Sequence, residues 1–142
     1  MMGALTMERP MLDLHLQMRP ALSELEPVRQ ALVAGLREAG AGHELVYKAE
    51  LVLEEVLSNI VRHGRAGQIA LHARLPLGEL RLLFEDDGPA FDPTAQPAPA
   101  AAADALSAAT GGRGVALVMH FARSISYAHA EGLNRLTVSI AA

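Results

Sequence analysis

Apolar and polar residues alternate from Met11 to Arg19, the first stretch of the chain with a clear pattern. The even positions from Leu12 to Met18 are apolar, and the odd positions carry Asp13, His15 and Gln17. A period of two is typical of a strand that buries one face. The pattern therefore predicts a strand over these residues, ended by the proline that follows them.

Two stretches with helical spacing come next, and the second carries a polar stripe. The first runs from Leu25 to Ala39, with a proline suited to its first turn and Gly40 suited to its C-terminal cap. The second runs from His43 to Arg62, and its apolar residues form a wide arc on the helical wheel. The polar residues opposite that arc are Glu55, Ser58, Asn59 and Arg62.

The rest of the chain predicts one more helix and four more strands. The predicted helix is Val115 to Ala122, and the predicted strands are Gln68 to Leu75, Glu79 to Glu85, Ser124 to Ala130 and Arg135 to Ala141. The first two strands join at a short turn around Pro76 and Gly78, and the last two form a hairpin around Glu131-Gly132-Leu133-Asn134. This order predicts an α/β two-layer sandwich of the α+β kind, a mostly antiparallel sheet with about three helices on one face.

The stretch from Pro93 to Gly112 differs from everything around it. It consists mostly of alanine and proline and carries a single charge, Asp104. Loops of this length are uncommon in compact domains and are usually lids, binding loops or disordered segments. We expect it to be mobile in the free protein, with Ala100 to Thr110 able to form a short helix because of its strong helix formers.

Composition excludes several classes of protein. The chain has 142 residues, no cysteine and a net charge of −4, with its basic residues scattered, so nothing indicates a nucleic-acid surface or a disulfide framework. No stretch approaches the ~20 apolar residues of a membrane span, and the first ten residues do not resemble a signal peptide. We expect a flexible segment at 1–10, one domain at 11–142, and a cytoplasmic location without membrane attachment.

Glu55 and Asn59 are the first candidate site residues. Their spacing of four places both on one helix face, about one turn apart. A carboxylate there could orient or deprotonate a hydroxyl, and an amide oxygen could ligate Mg²⁺, which prefers oxygen ligands. The alternative is a solvated polar helix face, on which Glu50 and Glu54 would also lie.

The sequence Asp86-Asp87-Gly88 is the second candidate, at the end of a predicted strand. A carboxylate there can accept a hydrogen bond from an exocyclic amine such as adenine N6, and glycine lets a ring approach the backbone. Phe91, before Asp92-Pro93, could close the pocket wall. The alternative is an ordinary turn, because Asp-Gly is common in turns.

The third candidate is the glycine-rich sequence Gly111-Gly112-Arg113-Gly114, just before a predicted helix. Glycines there allow backbone N–H groups to approach a phosphate at the helix N-terminus. The alternative is the end of a flexible linker, and no Lys-Ser/Thr pair follows to make it a Walker A motif. The histidines are dispersed, only His63 lies near the Asn59 face, and no serine sits in a G-x-S-x-G turn.

In this order the three motifs resemble those of the GHKL, or Bergerat-fold, ATPases, above all the single-domain bacterial anti-sigma-factor serine kinases. The matching residues are EEVLSNIVRHG with Glu55 and Asn59, Asp86-Asp87-Gly88 followed by Phe91-Asp92-Pro93, and Gly112-Arg113-Gly114. The closing GLNRLTVSI also resembles the last strand of that family, so the resemblance covers nearly the whole chain.

The resemblance implies a role for each motif residue. Asn59 would hold Mg²⁺ against the phosphates of ATP, and Glu55 would be the base toward a serine hydroxyl. Asp86 would bind the adenine amine, with Gly88 under the ring. Gly112 and Gly114 would meet the phosphates beneath an ATP lid at about 93–112, with Thr110 and Arg113 as the nearest lid contacts.

The resemblance also implies a regulatory partner. The chain would phosphorylate an anti-anti-sigma protein of the STAS type, and sequestration of a sigma factor is a further activity that the resemblance implies. A homodimer is usual in the family. Two alternatives remain on the same fold: a non-catalytic, nucleotide-dependent binding switch, and the ATPase half of a sensor histidine kinase. No helix pair with a phospho-accepting histidine precedes the domain, which disfavours the latter.

Overall fold

The alternating and helical patterns become five strands and two long helices in the computed structural model, which describes residues 12–76, 78–93 and 118–142. Residues 118–121 are also helical, and Leu22–Glu24 form one 3-10 turn. The elements in chain order are β1 (Asp13–Met18), α1 (Leu25–Glu38), α2 (His43–His63), β2 (Ile69–Arg74), β3 (Glu79–Asp86), β4 (Ser124–Ala130) and β5 (Leu133–Ala141). Each of these seven elements lies within two residues of its predicted bounds.

All four strand pairs in the sheet are antiparallel, in the order β1-β2-β3-β5-β4. Helices α1 and α2 cover one face of this sheet, so the predicted two-layer α+β sandwich is confirmed. The central position of β3, between β2 and β5, places its C-terminal end beside the first residues of β5.

Strand β3 shows how the core and the candidate site share one face. Its alternate residues Leu80, Leu82 and Phe84 are at most 1% exposed and pack among the core leucines of the helices. Because side chains alternate between faces, Asp86 continues the same row and is 3% exposed. The alternation along the strand therefore places the Asp86 carboxylate at the edge of the hydrophobic core, on the face that the helices cover.

Helix α1 ends as its sequence predicts. Gly40 has a φ of 87°, the left-handed conformation that glycine adopts without strain. Its N–H donates to the carbonyl of Arg37 (3.0 Å), and the next N–H donates to the carbonyl of Leu36 (2.9 Å). These two bonds make a Schellman cap, which turns the chain directly into α2.

The β4–β5 hairpin is tighter than predicted. Its turn contains only Glu131 and Gly132, which have φ values of 56° and 78°. Positive φ at both central residues is the requirement of a two-residue type I′ turn, whose twist matches that of the strands. Leu133 therefore pairs with Ala130, and Asn134 belongs to β5 and lies opposite Asp86.

Several predictions lie wholly or partly outside the described residues. They are the flexible segment at 1–10, residues 94–112 of the lid, Thr110, Gly112, Arg113, Gly114, and residues 115–117 of the third helix.

Candidate functional site

Asp86 is the carboxylate at the centre of the site. Its Oδ1 accepts the backbone N–H of Gly88 and the side-chain amide of Asn134, both at 2.9 Å. Within the described part of the chain, Oδ2 receives no hydrogen bond. The side chain is thus held through one oxygen, and the other oxygen is left as an acceptor for a ligand.

Asp87 has a different task, although it is the next residue. Its Oδ1 accepts the backbone N–H groups of Gly67 (2.7 Å) and Gln68 (2.9 Å), which connect α2 to β2. The hydrogen bond from Gln68, followed by that from Gly67, lowers the pKa of Asp87. Asp87 therefore ties two loops together, and Asp86 is the carboxylate that faces the site.

Gly88 is required by the backbone around it. A Cβ on this residue would lie 2.3 Å from the carbonyl oxygen of Gly64, at the end of α2, and 3.2 Å from Cα of Ala66. The first distance is shorter than any ordinary Cβ contact and the second is tight, so a side chain at this position would force the α2 exit and the chain after β3 apart. The glycine predicted to lie under a nucleobase also holds the two loops of the site in contact.

Asn59 is buried, with 6% of its surface exposed. Its Nδ2 donates to the carbonyl of Pro93 at 3.4 Å, which leaves Oδ1 as the free end of the amide for a cation. Ser58 is 8% exposed and turns its hydroxyl back to the carbonyl of Glu55. Since its residues are packed inside the domain, this stretch of α2 does not fit the alternative of a solvated polar face.

Glu55 lies one turn before Asn59 and is half-buried. Burial raises the pKa of its carboxyl, the negative charge of Glu54 raises it further, and the positive charge of Arg62 opposes both. A raised pKa makes the carboxylate a stronger base, which suits a group that takes a proton from a hydroxyl.

The segment 88–93 joins these parts. Its Phe91 N–H is shared between the hydroxyl of Tyr127 and Oδ1 of Asn134, both at 3.0 Å. The Phe91 ring lies 6.4 Å from the ring of His63, at the end of α2. The segment therefore leads from Asp86 past the end of α2 to the Pro93 carbonyl that holds Asn59.

The structure thus connects four of the predicted site residues, Asn59, Asp86, Gly88 and Phe91, through this one segment, with Glu55 beside them on α2. Two further residues of the site, Asn134 and Tyr127, were not predicted. Asparagine is depleted in strands, so an asparagine at the start of a strand would have indicated a functional role for Asn134. The sequence did not give this indication, because Asn134 was assigned to a predicted four-residue turn.

Among the described residues, no group of three or more His, Cys, Asp or Glu side chains converges as a metal site. A Mg²⁺ ion held by Asn59 would therefore take its other ligands from phosphate and water, a common arrangement for this ion. None of the helices in the described ranges combines the length and the hydropathy needed to cross a bilayer.

Comparison with known proteins identifies the family of the chain. A profile of the histidine kinase-like ATPase domain matches residues 18–140. The serine/threonine-protein kinase BtrW of Bordetella bronchiseptica is 35% identical over 99 residues, which cover 67% of this chain and 70% of BtrW.

Two solved structures share the fold. The RsbU and RsbW domains of Rv1364c from Mycobacterium tuberculosis match 92% of this chain with a TM-score of 0.66 and 20% identity, and the match spans 33% of that longer chain. A chain of the SiaB–SiaC complex from Pseudomonas aeruginosa matches 99% of this chain and 95% of its own length, with a TM-score of 0.57 and 16% identity. The family match spans the elements that carry Asn59, Asp86 and Gly88, and the protein belongs to the histidine kinase-like ATPase domain family, the GHKL family that its motifs resemble.

Proposed function

We propose that this protein is an ATP-dependent serine protein kinase and anti-sigma regulatory factor. It phosphorylates a STAS-type anti-anti-sigma partner and also sequesters a sigma factor. The observation that carries the proposal is the single segment 86–93, which connects a buried, half-satisfied carboxylate to the buried amide of Asn59. The kinase name of the BtrW relative supports the same reaction.

Each group of the site has a task in nucleotide binding. Oδ2 of Asp86 would accept a hydrogen bond from the adenine amine, and Gly88 and Phe91 would line the base. Asn59 would hold Mg²⁺ through its amide oxygen. Thr110, Gly112, Arg113 and Gly114 complete the phosphate site. ATP would supply the transferable phosphoryl group and Mg²⁺ would neutralise part of its charge, so the protein contributes mainly position and electrostatics.

Glu55 acts on the partner's serine. Its half-buried carboxylate lies one helical turn from the metal-ligating Asn59, beside the place where the phosphates are expected. The carboxylate accepts the hydroxyl proton as the serine oxygen bonds to the γ-phosphorus of ATP and the bond to the bridging oxygen breaks, releasing ADP. Glu54, the preceding residue, is exposed, and its only part in transfer is to raise the pKa of Glu55.

The second candidate function is a non-catalytic, nucleotide-dependent binding switch. One observation favours it: the sequence of the lid, PTAQPAPAAAADALSAATGG, offers few polar groups to a γ-phosphate. Both functions place the protein in the cytoplasm, where ATP and sigma factors are found, and both are compatible with a homodimer.

Transfer of labelled phosphate from Mg²⁺-ATP to candidate STAS-type partners distinguishes the two functions. We expect Glu55→Gln to bind ATP as the unsubstituted protein does and to lose transfer about 10²-fold or more, the usual contribution of a general base. Glu54→Gln, measured at pH 8, is the matched control and should transfer at the unsubstituted rate. Tight ATP binding with no transfer to any partner would support the switch instead.

A further inference from the structure

Asn134 is the most heavily bonded side chain of the site and has no role in the proposed reaction. It is 2% exposed. The two N–H bonds of its Nδ2 are shared among three acceptors: Oδ1 of Asp86 (2.9 Å), the carbonyl of Gly88 (3.2 Å) and the carbonyl of Pro89 (2.9 Å). One amide from β5 thus holds both the carboxylate at the end of β3 and the chain that leaves it.

Tyr127 secures the other end of this amide. Its hydroxyl donates to Oδ1 of Asn134, and the Phe91 N–H reaches the same oxygen at 3.0 Å. With its oxygen held in this way, the amide cannot flip, and its nitrogen is kept against Asp86. Tyr127 lies on β4 and pairs with Leu136. Leu136 is two residues after Asn134 on β5, so the two side chains are on the same face of the sheet.

From this network we infer that Asn134 is a positioning residue for nucleobase recognition. It holds Asp86 through Oδ1, so Oδ2 is presented to the exocyclic amine of adenine in one orientation. The inference rests on the proposed nucleotide site and adds the source of its base specificity. Tyr127 and the Phe91 N–H fix the orientation of the Asn134 amide, and they act on the base only through Asn134 and Asp86.

The discrimination between ATP and ITP measures this directly, because inosine carries a carbonyl where adenine carries the amine. Calorimetric titration of each Mg²⁺-nucleotide gives the ratio of the two dissociation constants without any transfer assay. We expect Asn134→Ala to reduce that ratio about tenfold, the value of one hydrogen bond to a carboxylate. A loss of stability alone would weaken both nucleotides and leave their ratio unchanged.

Two matched variants complete the test. Ser139→Ala removes another buried polar side chain of β5, 6% exposed, which lies on the opposite face, and it should keep the unsubstituted ratio. Asn134→Thr keeps one hydroxyl donor on a residue that favours strands, and it should lose less discrimination than alanine does. If the alanine variant does not fold, the threonine variant still has to show a reduced ratio.

Asp86→Asn separates the inference from the proposed function. If this change abolishes discrimination while Asn134→Ala and Asn134→Thr keep the unsubstituted ratio, Asn134 is only structural and the inference is overturned. If Asp86→Asn itself leaves the ratio unchanged, the assignment of the base to Asp86 is wrong and the positioning role is lost with it. In a combined variant, Asn134→Ala should have no further effect once Asp86 is replaced.

Discussion

Neighbouring acidic residues do different work in this protein, because helix and strand geometry sends them in different directions. Asp86 ends the buried row of β3, and Asp87 accepts two backbone N–H groups from the loop before β2. On α2, Glu55 is half-buried beside the site, and Glu54 is exposed. The role of each acidic side chain therefore depends on the direction in which its own position on the helix or strand points it.

The pH dependence of transfer should report the pKa of Glu55. Burial and Glu54 raise that pKa above 4.5, and Arg62 opposes them. Because the base must be deprotonated, the transfer rate should fall as pH decreases through the raised pKa. Glu54→Gln should shift this acid limb to lower pH, and Arg62→Gln should shift it to higher pH. Single-turnover rates measured as a function of pH would show both shifts; a limb unmoved by either change would contradict Glu55 as its source.

The raised pKa of Glu55 also makes the stability of the folded protein depend on pH. Between 4.5 and the raised pKa of Glu55, the folded state binds more protons than the unfolded state. Protonation of Glu55 therefore favours the folded protein as pH falls through this window, and the charged form opposes folding above it. Glutamine resembles the protonated form of Glu55. The unfolding free energies of Glu55→Gln and the unsubstituted protein, measured with urea, should therefore become equal at the acid end of this pH window.

At the scale of elements, the site depends on two loops that touch without side chains between them. The exit of α2 at Gly64 lies directly against the chain that leaves β3 at Gly88. Asp87 holds the same pair of loops together from the other side, through the N–H groups of Gly67 and Gln68.

We expect Gly88→Ala to destabilise the protein by about 1–3 kcal/mol, the usual cost of forced overpacking. The added Cβ would meet the Gly64 carbonyl at 2.3 Å, so one of the two loops has to move. Gly67→Ala is the matched control from the same pair of loops, since the nearest atom to its Cβ would be Oδ2 of Asp87, at 3.5 Å, an ordinary contact. Urea unfolding measures both; equal and small losses would show that the loops move apart freely.

At the scale of the whole molecule, one hydrophobic layer between helices and sheet supports both stability and the site. Strand β3 contributes to it from one face only. Leu82 is 0% exposed and packs in the core, and the adjacent Leu83 lies on the opposite face and is half-buried.

Leu82→Ala should therefore cost about 2–5 kcal/mol of unfolding free energy, through lost burial and the cavity left behind. Leu83→Ala changes the same side chain on the same strand and should cost less than half as much. Denaturant midpoints compared at a common slope would measure this difference. Similar losses at both positions would mean that the outer face of the sheet is also covered in solution.

The sequence by itself determined the elements, because each is encoded by residues close together in the chain. The period of two in β1, the arc of α2 and the glycine after α1 all specify backbone geometry locally. The motif residues Asn59, Asp86 and Gly88 could be predicted for the same reason, since each motif is short and contiguous.

Only the tertiary structure decided how these residues meet. Asn134 lies 48 residues from Asp86 in the chain and reaches it because β5 pairs with β3. That pairing depends on a hairpin turn of two residues instead of four, a difference that moved Asn134 from a loop into the sheet. Local patterns cannot specify such a contact, because the energy that selects strand order and register comes from burying one face of the whole sheet under α1 and α2.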